Sequence, residues 1–575
     1  TASRSDSTDH SPTNQLLMKG VSMDIDVESF RNRRNDQRWN RVSVGDVIER
    51  ITWSTPDKEC LIATPEATVN PAHARVTYAQ ANGLINRVAN GLLARGLPPA
   101  ARVAMLVENS VEAWLSKVAI AKAGLVAAPV NIMMAPDVII DCLERVGAEF
   151  VIADAAQWET HGDDLVATGL TPIMMIGGPD GGDVASFDDF IADESTDEPD
   201  VTIHGDDIWE VLFTSGTTAK PKAVMISHTY TYMCAMSQIM SMTRGLEHEQ
   251  DLRHATFTPM TFHIGDHLMV FGPLMAGGTV IMGSKPDGKE MAQACTDEDV
   301  TCLFGGSPQF IEGLIRECHE NPDTYDLSAM TSMFYAWAPL DPQSFEAFEA
   351  LTRPDLVCWE LIGQTECLAP HRFFLNRHRE LFEATAPAQN YVGVPAPLLG
   401  STVMDADGND LRGQPGVNGE AVYRSPAMFS GYYGDPEATK EAFKGGWMHS
   451  GDTFTYDEND HRIMVDRYKD MVKSGGENVS SIRVESVLQQ HPAIARAAVV
   501  GVADDTWGEM VTACVILSAD EEFDESAVIA FCRDRLAGFE TPKQVIAMDS
   551  FPETVGGKIL KYKLRAGLAE TPGVL

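Results

Sequence analysis

From Val76 onward the chain alternates strand-like and helix-like segments, and this alternation limits the fold more than any other feature of the sequence. Thr77-Tyr78-Ala79-Gln80 opens an amphipathic helical stretch, and Arg102 to Val107 reads as a buried strand. Ser110 to Ala123 reads as a helix stopped by Gly124, and Leu125 to Val130 as the next strand. A strand, a crossover helix and a further strand imply right-handed connections and a mainly parallel sheet covered on both faces. Similar units recur at Phe150-Val151-Ile152, Ile173 to Ile176, Thr279 to Met282 and Cys302-Leu303-Phe304, without the fixed period of a solenoid. The expected class is α/β.

Beyond about residue 390 the texture changes. Asp405 to Asn409 and Gly413-Gln414-Pro415-Gly416 are turn chemistry between short strands, which predicts a β-rich subdomain. After Asp466 a small α+β unit is expected: helix Val479 to Gln490, strands Ala497 to Val502 and Val511 to Leu517, and helix Glu525 to Leu536. At 575 residues the chain exceeds what one hydrophobic core supports. The reading therefore divides it into a disordered Ser/Thr/Asp-rich tail at 1–24, a large N-terminal domain of parallel-sheet α/β subdomains and a β-rich subdomain at 25–466, and a small mobile lid at 467–575.

Lys and Arg total 44 against 83 Asp and Glu, and the net charge of -39 opposes association with nucleic acid or anionic membranes. Any phosphate-bearing ligand must be held by backbone donors and individually placed cations. The ten cysteines form no Cys-x-x-Cys pair and no metal-ligand spacing with His, which fits a reduced, cytoplasmic setting. No apolar run approaches membrane-spanning length.

The strongest local signal is Val211-Leu212-Phe213-Thr214-Ser215-Gly216-Thr217-Thr218-Ala219-Lys220-Pro221-Lys222, an apolar strand running into hydroxyls, Gly and Lys. Backbone amides and hydroxyls of such a loop can wrap phosphate oxygens, with Lys222 as a point cation. It is not the loop of the P-loop enzymes. It resembles the signature loop of the adenylate-forming superfamily, which includes acyl-CoA synthetases, peptide-synthetase adenylation domains and luciferases. Other stretches match that family in order: Ala121 to Gly124 with Pro129 and Asn131, Pro259 to Gly265, Gly363-Gln364-Thr365-Glu366, Ser450-Gly451-Asp452, Asp466 to Asp470, and Gly557-Lys558.

The resemblance implies an acid:CoA ligase (AMP-forming) that converts an apolar carboxylic acid to its coenzyme A thioester through an acyl-adenylate, with ATP/AMP, Mg²⁺ and coenzyme A as cofactors. By resemblance Thr214, Ser215, Gly216, Thr217, Thr218 and Lys222 hold ATP phosphates. Gly363 and Gln364 line the nucleotide site, Thr365 contacts phosphate, and Glu366 anchors Mg²⁺. Asp452 and Arg467 match the pair that holds the ribose hydroxyls. Lys558 matches the lysine that steadies charge during adenylation, and Lys469 sits at the pivot of the lid. Gly475 and Gly476 would let the backbone approach the pantetheine arm. His263, Gly306, Trp337 and Ala338 fall where the acyl pocket is expected, with His263 guarding the carboxylate and thiol path.

Departures from the pattern cluster in the nucleotide half. Ala219 and Ala223 stand where the loop usually has Gly, Trp337 replaces a Gly, Ile362 replaces an aromatic, and Ser480-Ser481 replaces a Tyr-Pro or Phe-Pro pair. They bring in a second reading, a partial enzyme that only thioesterifies a supplied acyl-adenylate. Amide-forming or oxygenase relatives and a non-catalytic binding protein are further alternatives. The acid, the pathway and the oligomeric state, homodimer included, are left open by the sequence.

Overall fold

The structure is a computed structural model that describes residues 40–214, 221–242, 252–387, 389–467, 470–474, 477–504, 506–519, 521–553 and 559–570. The tail expected at 1–24 lies outside them.

Local chemistry starts each helix of the first unit. Thr77 and Gln80 form a reciprocal capping box for the helix Tyr78–Ala94, and Ser110 Oγ accepts from Ala113 N at 3.1 Å to cap Val111–Lys122. Val111–Lys122 is buried at every position because it runs between two sheets, against Val126–Pro129 and Ile208–Phe213 on one side and Glu59–Ala63 on the other.

The first of those sheets has six described strands in the order Thr171–Ile176, Phe150–Asp154, Arg102–Leu106, Val126–Pro129, Ile208–Phe213 and Ala223–Ser227. All pair in parallel except the last, which returns antiparallel to its neighbour. The second has nine described strands, whose centre runs Val357–Gln364, Ser332–Ala336, Cys302–Phe304, Arg253–Thr256 and Thr279–Met282, all parallel. On one flank, Cys367–Phe374 folds back antiparallel on Val357–Gln364. A third, five-stranded antiparallel sheet between Asn390 and Arg467 is the expected β-rich subdomain.

The small C-terminal unit pairs Ile494–Asp504 with Gly508–Leu517 and packs helices Ser481–Leu488, Glu525–Arg533 and Lys561–Glu570 against them. Two expectations are corrected here. Val479 ends a strand instead of starting a helix, since it pairs with Val472 in a hairpin, and Ser480 caps the helix that begins at Ser481 and stops at Leu488. The helix begun at Glu525 ends at Arg533, short of Leu536. Ser480 and Ser481 also tie this unit to its neighbour: Ser481 N and Oγ donate to Asp466 Oδ2 at 2.7 and 2.5 Å, and Ser480 Oγ donates to the Val465 carbonyl at 2.6 Å. Lys561 Nζ donates to Ser481 Oγ at 2.5 Å and pairs with Glu485 at 2.7 Å. A Tyr-Pro pair could supply neither of the Ser481 donors.

Candidate active site

The strand Ile208–Phe213 delivers Thr214, and Ala223–Ser227 begins directly after Lys222, so the phosphate loop leaves and returns on adjacent strands. Its ends clasp each other: Thr214 N donates to the Lys222 carbonyl at 2.9 Å, and Lys222 N donates to Thr214 Oγ1 at 3.0 Å. Ser215, Gly216, Thr217, Thr218 and Ala219 lie outside the described residues, as do Lys469, Gly475, Gly476 and Lys558. The methyl of Ala223 is buried in the core with Val126 and Val211, so it does not crowd phosphate as its departure from Gly suggests.

The Lys222 ammonium sits 4.2 Å over the ring of Tyr432, whose hydroxyl donates to Glu366 Oε1 at 2.8 Å. The Tyr432 segment is stitched in place by its bridge to Val224 and by Phe429 N, which donates to the Glu366 carbonyl at 3.1 Å. Glu366 Oε2 accepts no hydrogen bond from the described residues, which leaves one carboxylate oxygen for a cation. Thr365 and Glu366 form the turn between Val357–Gln364 and Cys367–Phe374, with Gly363 exposed and Gln364 half-buried just before it. This is the carboxyl end of a strand, where open α/β sheets bind ligands.

Tyr230, on the helix His228–Met242, fixes that turn: its hydroxyl donates to the Thr365 carbonyl at 3.0 Å and accepts from Leu368 N at 2.9 Å. The His263 ring lies 5.0 Å from Tyr230 and edge-on to His267 at 4.3 Å. Neither His263 nitrogen makes a hydrogen bond of good geometry among the described residues, the Thr365 backbone being a polar neighbour that favours its charged form. Burial, then His267 and Lys117, hold the His263 imidazole well below its ordinary range, so the ring is neutral. Gly265 brings this turn against Pro259; a Cβ there would stand 2.1 Å from the Pro259 carbonyl oxygen.

On the second sheet, Phe304, Phe334, Trp359 and Phe374 stand in register as an aromatic ladder, with successive ring centroids 5.2, 4.7 and 5.8 Å apart. Trp337 follows the strand Ser332–Ala336 with φ 76°, a left-handed conformation costly for a bulky side chain. The residue is 43 % exposed, its ring 5.8 Å from Phe304, and the left-handed Gly306 (φ 73°) leaves room beside it. Ala338 is exposed next to it. Asp452 and Arg467 sit across from each other on paired strands, 3.3 Å apart.

One cluster escaped the sequence reading. Lys117, Glu210, Asp266 and His267 are fully buried together. The Lys117 ammonium pairs with Glu210, meets Asp266 Oδ2 at 2.6 Å and donates to the Met260 carbonyl at 3.0 Å. His267 Nε2 lies 2.6 Å from Glu210 Oε2, and its Nδ1 lies 3.0 Å from Thr231 Oγ1, which accepts from Trp209 Nε1 at 2.9 Å. Burial raises Glu210, yet Lys117 and His267 outweigh it and hold the carboxyl low; burial lowers Lys117, yet Asp266 and Glu210 keep it charged. Ligating atoms of Glu210, Asp266 and His267 lie within 4.8 Å of one another, a metal-like spacing in which Lys117 already supplies the cation. Because Lys117 grips Met260 and Asp266, on either side of His263, the cluster braces the turn that presents His263. Its traces in the sequence are Glu210 inside the apolar Ile208–Phe213 strand and Lys117 inside the largely apolar Val111–Lys122 stretch.

Comparison with known proteins identifies the family. Residues 49–433 match the family model for AMP-binding enzyme and 483–558 the model for AMP-binding enzyme C-terminal domain. A feruloyl-CoA synthase from Amycolatopsis is 32 % identical over 505 residues, covering 87 % of this chain and 96 % of that protein. The long-chain-fatty-acid–CoA ligase FadD13 of Mycobacterium tuberculosis is 29 % identical over 91 % of this chain and 99 % of its own length. Among solved structures, ATP-bound MatB from Rhodopseudomonas palustris superposes with a TM-score of 0.78 at 26 % identity, covering 92 % of this chain and 99 % of that one. No described helix is long and apolar enough to cross a membrane. The chain belongs to the adenylate-forming superfamily of AMP-binding enzymes, as an acid:CoA ligase of the AMP-forming type.

Proposed function

We propose that this chain performs both half-reactions on an apolar carboxylic acid, at a site shared by the Thr214–Lys222 loop, the Thr365-Glu366 turn and the aromatic ladder. In the first, a carboxylate oxygen attacks the α-phosphorus of ATP, the bond to the leaving phosphate breaks, and pyrophosphate departs. In the second, the coenzyme A thiol attacks the acyl carbonyl and AMP leaves. The observation that supports this most is the chain of contact from Lys222 through Tyr432 to Glu366, which joins a cation on the phosphate loop to the acid on the turn.

In this reading Thr214, Ser215, Gly216, Thr217, Thr218 and Lys222 hold phosphate oxygens, Gly363 and Gln364 border the nucleotide, Thr365 contacts phosphate, and Asp452 with Arg467 holds the ribose. Glu366, with its open Oε2, would hold Mg²⁺, whose charge would offset that of the ATP phosphates. Lys558 stabilises the charge that develops at the α-phosphorus, and Lys469 is the pivot for a lid that begins near residue 467. Gly475 and Gly476 border the pantetheine path. Neutral His263 closes the site to water without competing for the acyl carboxylate. Gly306, Trp337 and Ala338 line the acid. All ten cysteines are buried and free, which supports a reduced, cytoplasmic setting. The test is a screen of carboxylic acids by AMP release and thioester mass; Lys558→Ala should abolish adenylation yet leave thioester formation from supplied acyl-adenylate nearly intact. Equal loss of both steps would contradict the assignment.

A further inference from the structure

One cation stands beside the aromatic ladder, in the adjacent row of the same sheet face. Arg372 pairs in register with Leu361, which pairs with Ala336, so all three share the sheet face of Phe334, Trp359 and Phe374. That face looks onto the helix His228–Met242, from which Ser237 and Gln238 meet Arg372. Its NH2 donates to the Ser237 carbonyl and Oγ, both at 3.1 Å, and to Gln238 Oε1 at 3.3 Å. Arg372 is only 3 % exposed, and its Nε and NH1 have no hydrogen-bond partner among the described residues. Gln238 Nε2, beside it, also lacks a hydrogen-bond partner among the described residues. None of the ion pairs among the described residues includes Arg372, and burial lowers its guanidinium to about 10, consistent with a cation that has no counter-charge.

A buried guanidinium without a carboxylate is costly, and every open polar atom around it is a donor. What such a place lacks is an acceptor with several lone pairs and a negative charge, which a carboxylate supplies in fork-on-fork geometry. Its position relative to the reacting end follows from the helix: Gln238 is two turns beyond Tyr230, about 12 Å along the axis, and Tyr230 holds the Thr365 turn.

We propose that Arg372 selects the acid by receiving a second, distal carboxylate, so that the preferred substrate is a dicarboxylic acid with an apolar spacer, activated at one end only. The distal carboxylate displaces the Gln238 amide from the guanidinium, exchanging a neutral acceptor for a charged one, and the rings of Trp359, Phe334 and Phe304, buried in this structure, move aside to admit the spacer. The inference rests on the acid:CoA ligase reading above and refines it.

The experiment compares adipic, suberic, sebacic and 4-carboxycinnamic acids with their monomethyl esters and with monocarboxylic acids of equal length, by AMP release and thioester mass. The wild-type enzyme should prefer a diacid over its monoester. Truncating one member of a buried charge pair typically costs enough to predict at least about a thirtyfold loss of kcat/KM for diacids in Arg372→Met. Monocarboxylic acids should be unaffected or improved, and Arg372→Lys should keep part of the preference. Removing an uncompensated buried charge should leave the melting temperature of Arg372→Met unchanged or higher. Equal turnover of diacid and monoester by the wild type would overturn the proposal. So would an Arg372→Met enzyme that loses all acids alike and melts lower, since Arg372 would then only anchor the helix. Should the methionine variant fail to fold, the wild-type comparison and Arg372→Lys still decide. Activity with no acid of any kind would instead refute the ligase reading itself.

Discussion

The Tyr432 hydroxyl donates to Glu366 Oε1 at 2.8 Å while the Lys222 ammonium rests 4.2 Å above the same ring. One side chain thus sets the spacing of the Lys222 cation and the Glu366 carboxylate. Tyr432→Phe keeps the ring under Lys222 and removes the hydrogen bond that orients Glu366. The expected result is a roughly tenfold slower acid-dependent pyrophosphate exchange, in line with loss of one charge-assisted hydrogen bond. The melting temperature should stay within a few degrees of wild type. Unchanged exchange across a range of Mg²⁺ concentrations would show that Glu366 needs no such support.

Lys117 pairs with two buried carboxylates, Glu210, which it helps hold low, and Asp266, which burial pushes up. Lys117→Met leaves them facing each other, so denaturant unfolding should show a loss of about 3–5 kcal/mol. Adding Glu210→Gln and Asp266→Asn to that variant should recover much of it, because the stranded charges are then gone. A single mutant as stable as wild type would mean that the cluster is not charged in the folded state.

Trp337 holds φ 76° with 43 % of its surface exposed. Trp337→Gly relieves backbone strain of about 1–2 kcal/mol, which should offset the lost contact with Phe304 and leave the melting temperature nearly unchanged. The acid profile should move toward bulkier acids as the indole volume opens. An unchanged profile would place the ring outside the acid path.

Glu360 is buried beside Tyr335, whose hydroxyl donates to it at 3.3 Å, and burial pushes its carboxyl from the ordinary 4.5 up to about 8. Between those values the folded protein keeps a proton that the unfolded chain has lost. The stabilisation is full below pH 4.5 and falls as pH rises toward 8. Glu360→Gln removes this dependence, so the variant should melt higher than wild type at pH 9 and differ little at pH 4.5. Parallel melting curves across that range would contradict a neutral Glu360.

How much of this was legible in the sequence depends on distance along the chain. The helices that open at Thr77 and Ser110 were legible as segments, and the partners of those two capping residues, Gln80 and Ala113, lie within one turn of them. The strands at Arg102, Phe150, Thr279 and Cys302 announced themselves by apolar runs. Val479 was misassigned because its extended conformation comes from pairing with Val472 across a hairpin, which overrides the helical pattern after it. The Lys117 cluster and the setting of Arg372 could not be read, since their partners come from segments far apart: Glu210 and Asp266 in one case, Ser237 and Gln238 in the other. A residue's type shows that it can be charged; only the fold shows what stands opposite.

The central claim is that this one chain makes the acyl-adenylate and then the thioester. Acid-dependent exchange of labelled pyrophosphate into ATP by the purified wild-type protein, in the absence of coenzyme A, tests it most directly. The account predicts exchange with at least one carboxylic acid, and loss of that signal when coenzyme A is added and the thioester appears by mass. Absence of exchange with every acid, while a supplied acyl-adenylate is still converted to thioester, would contradict it and leave only the second half-reaction to this protein.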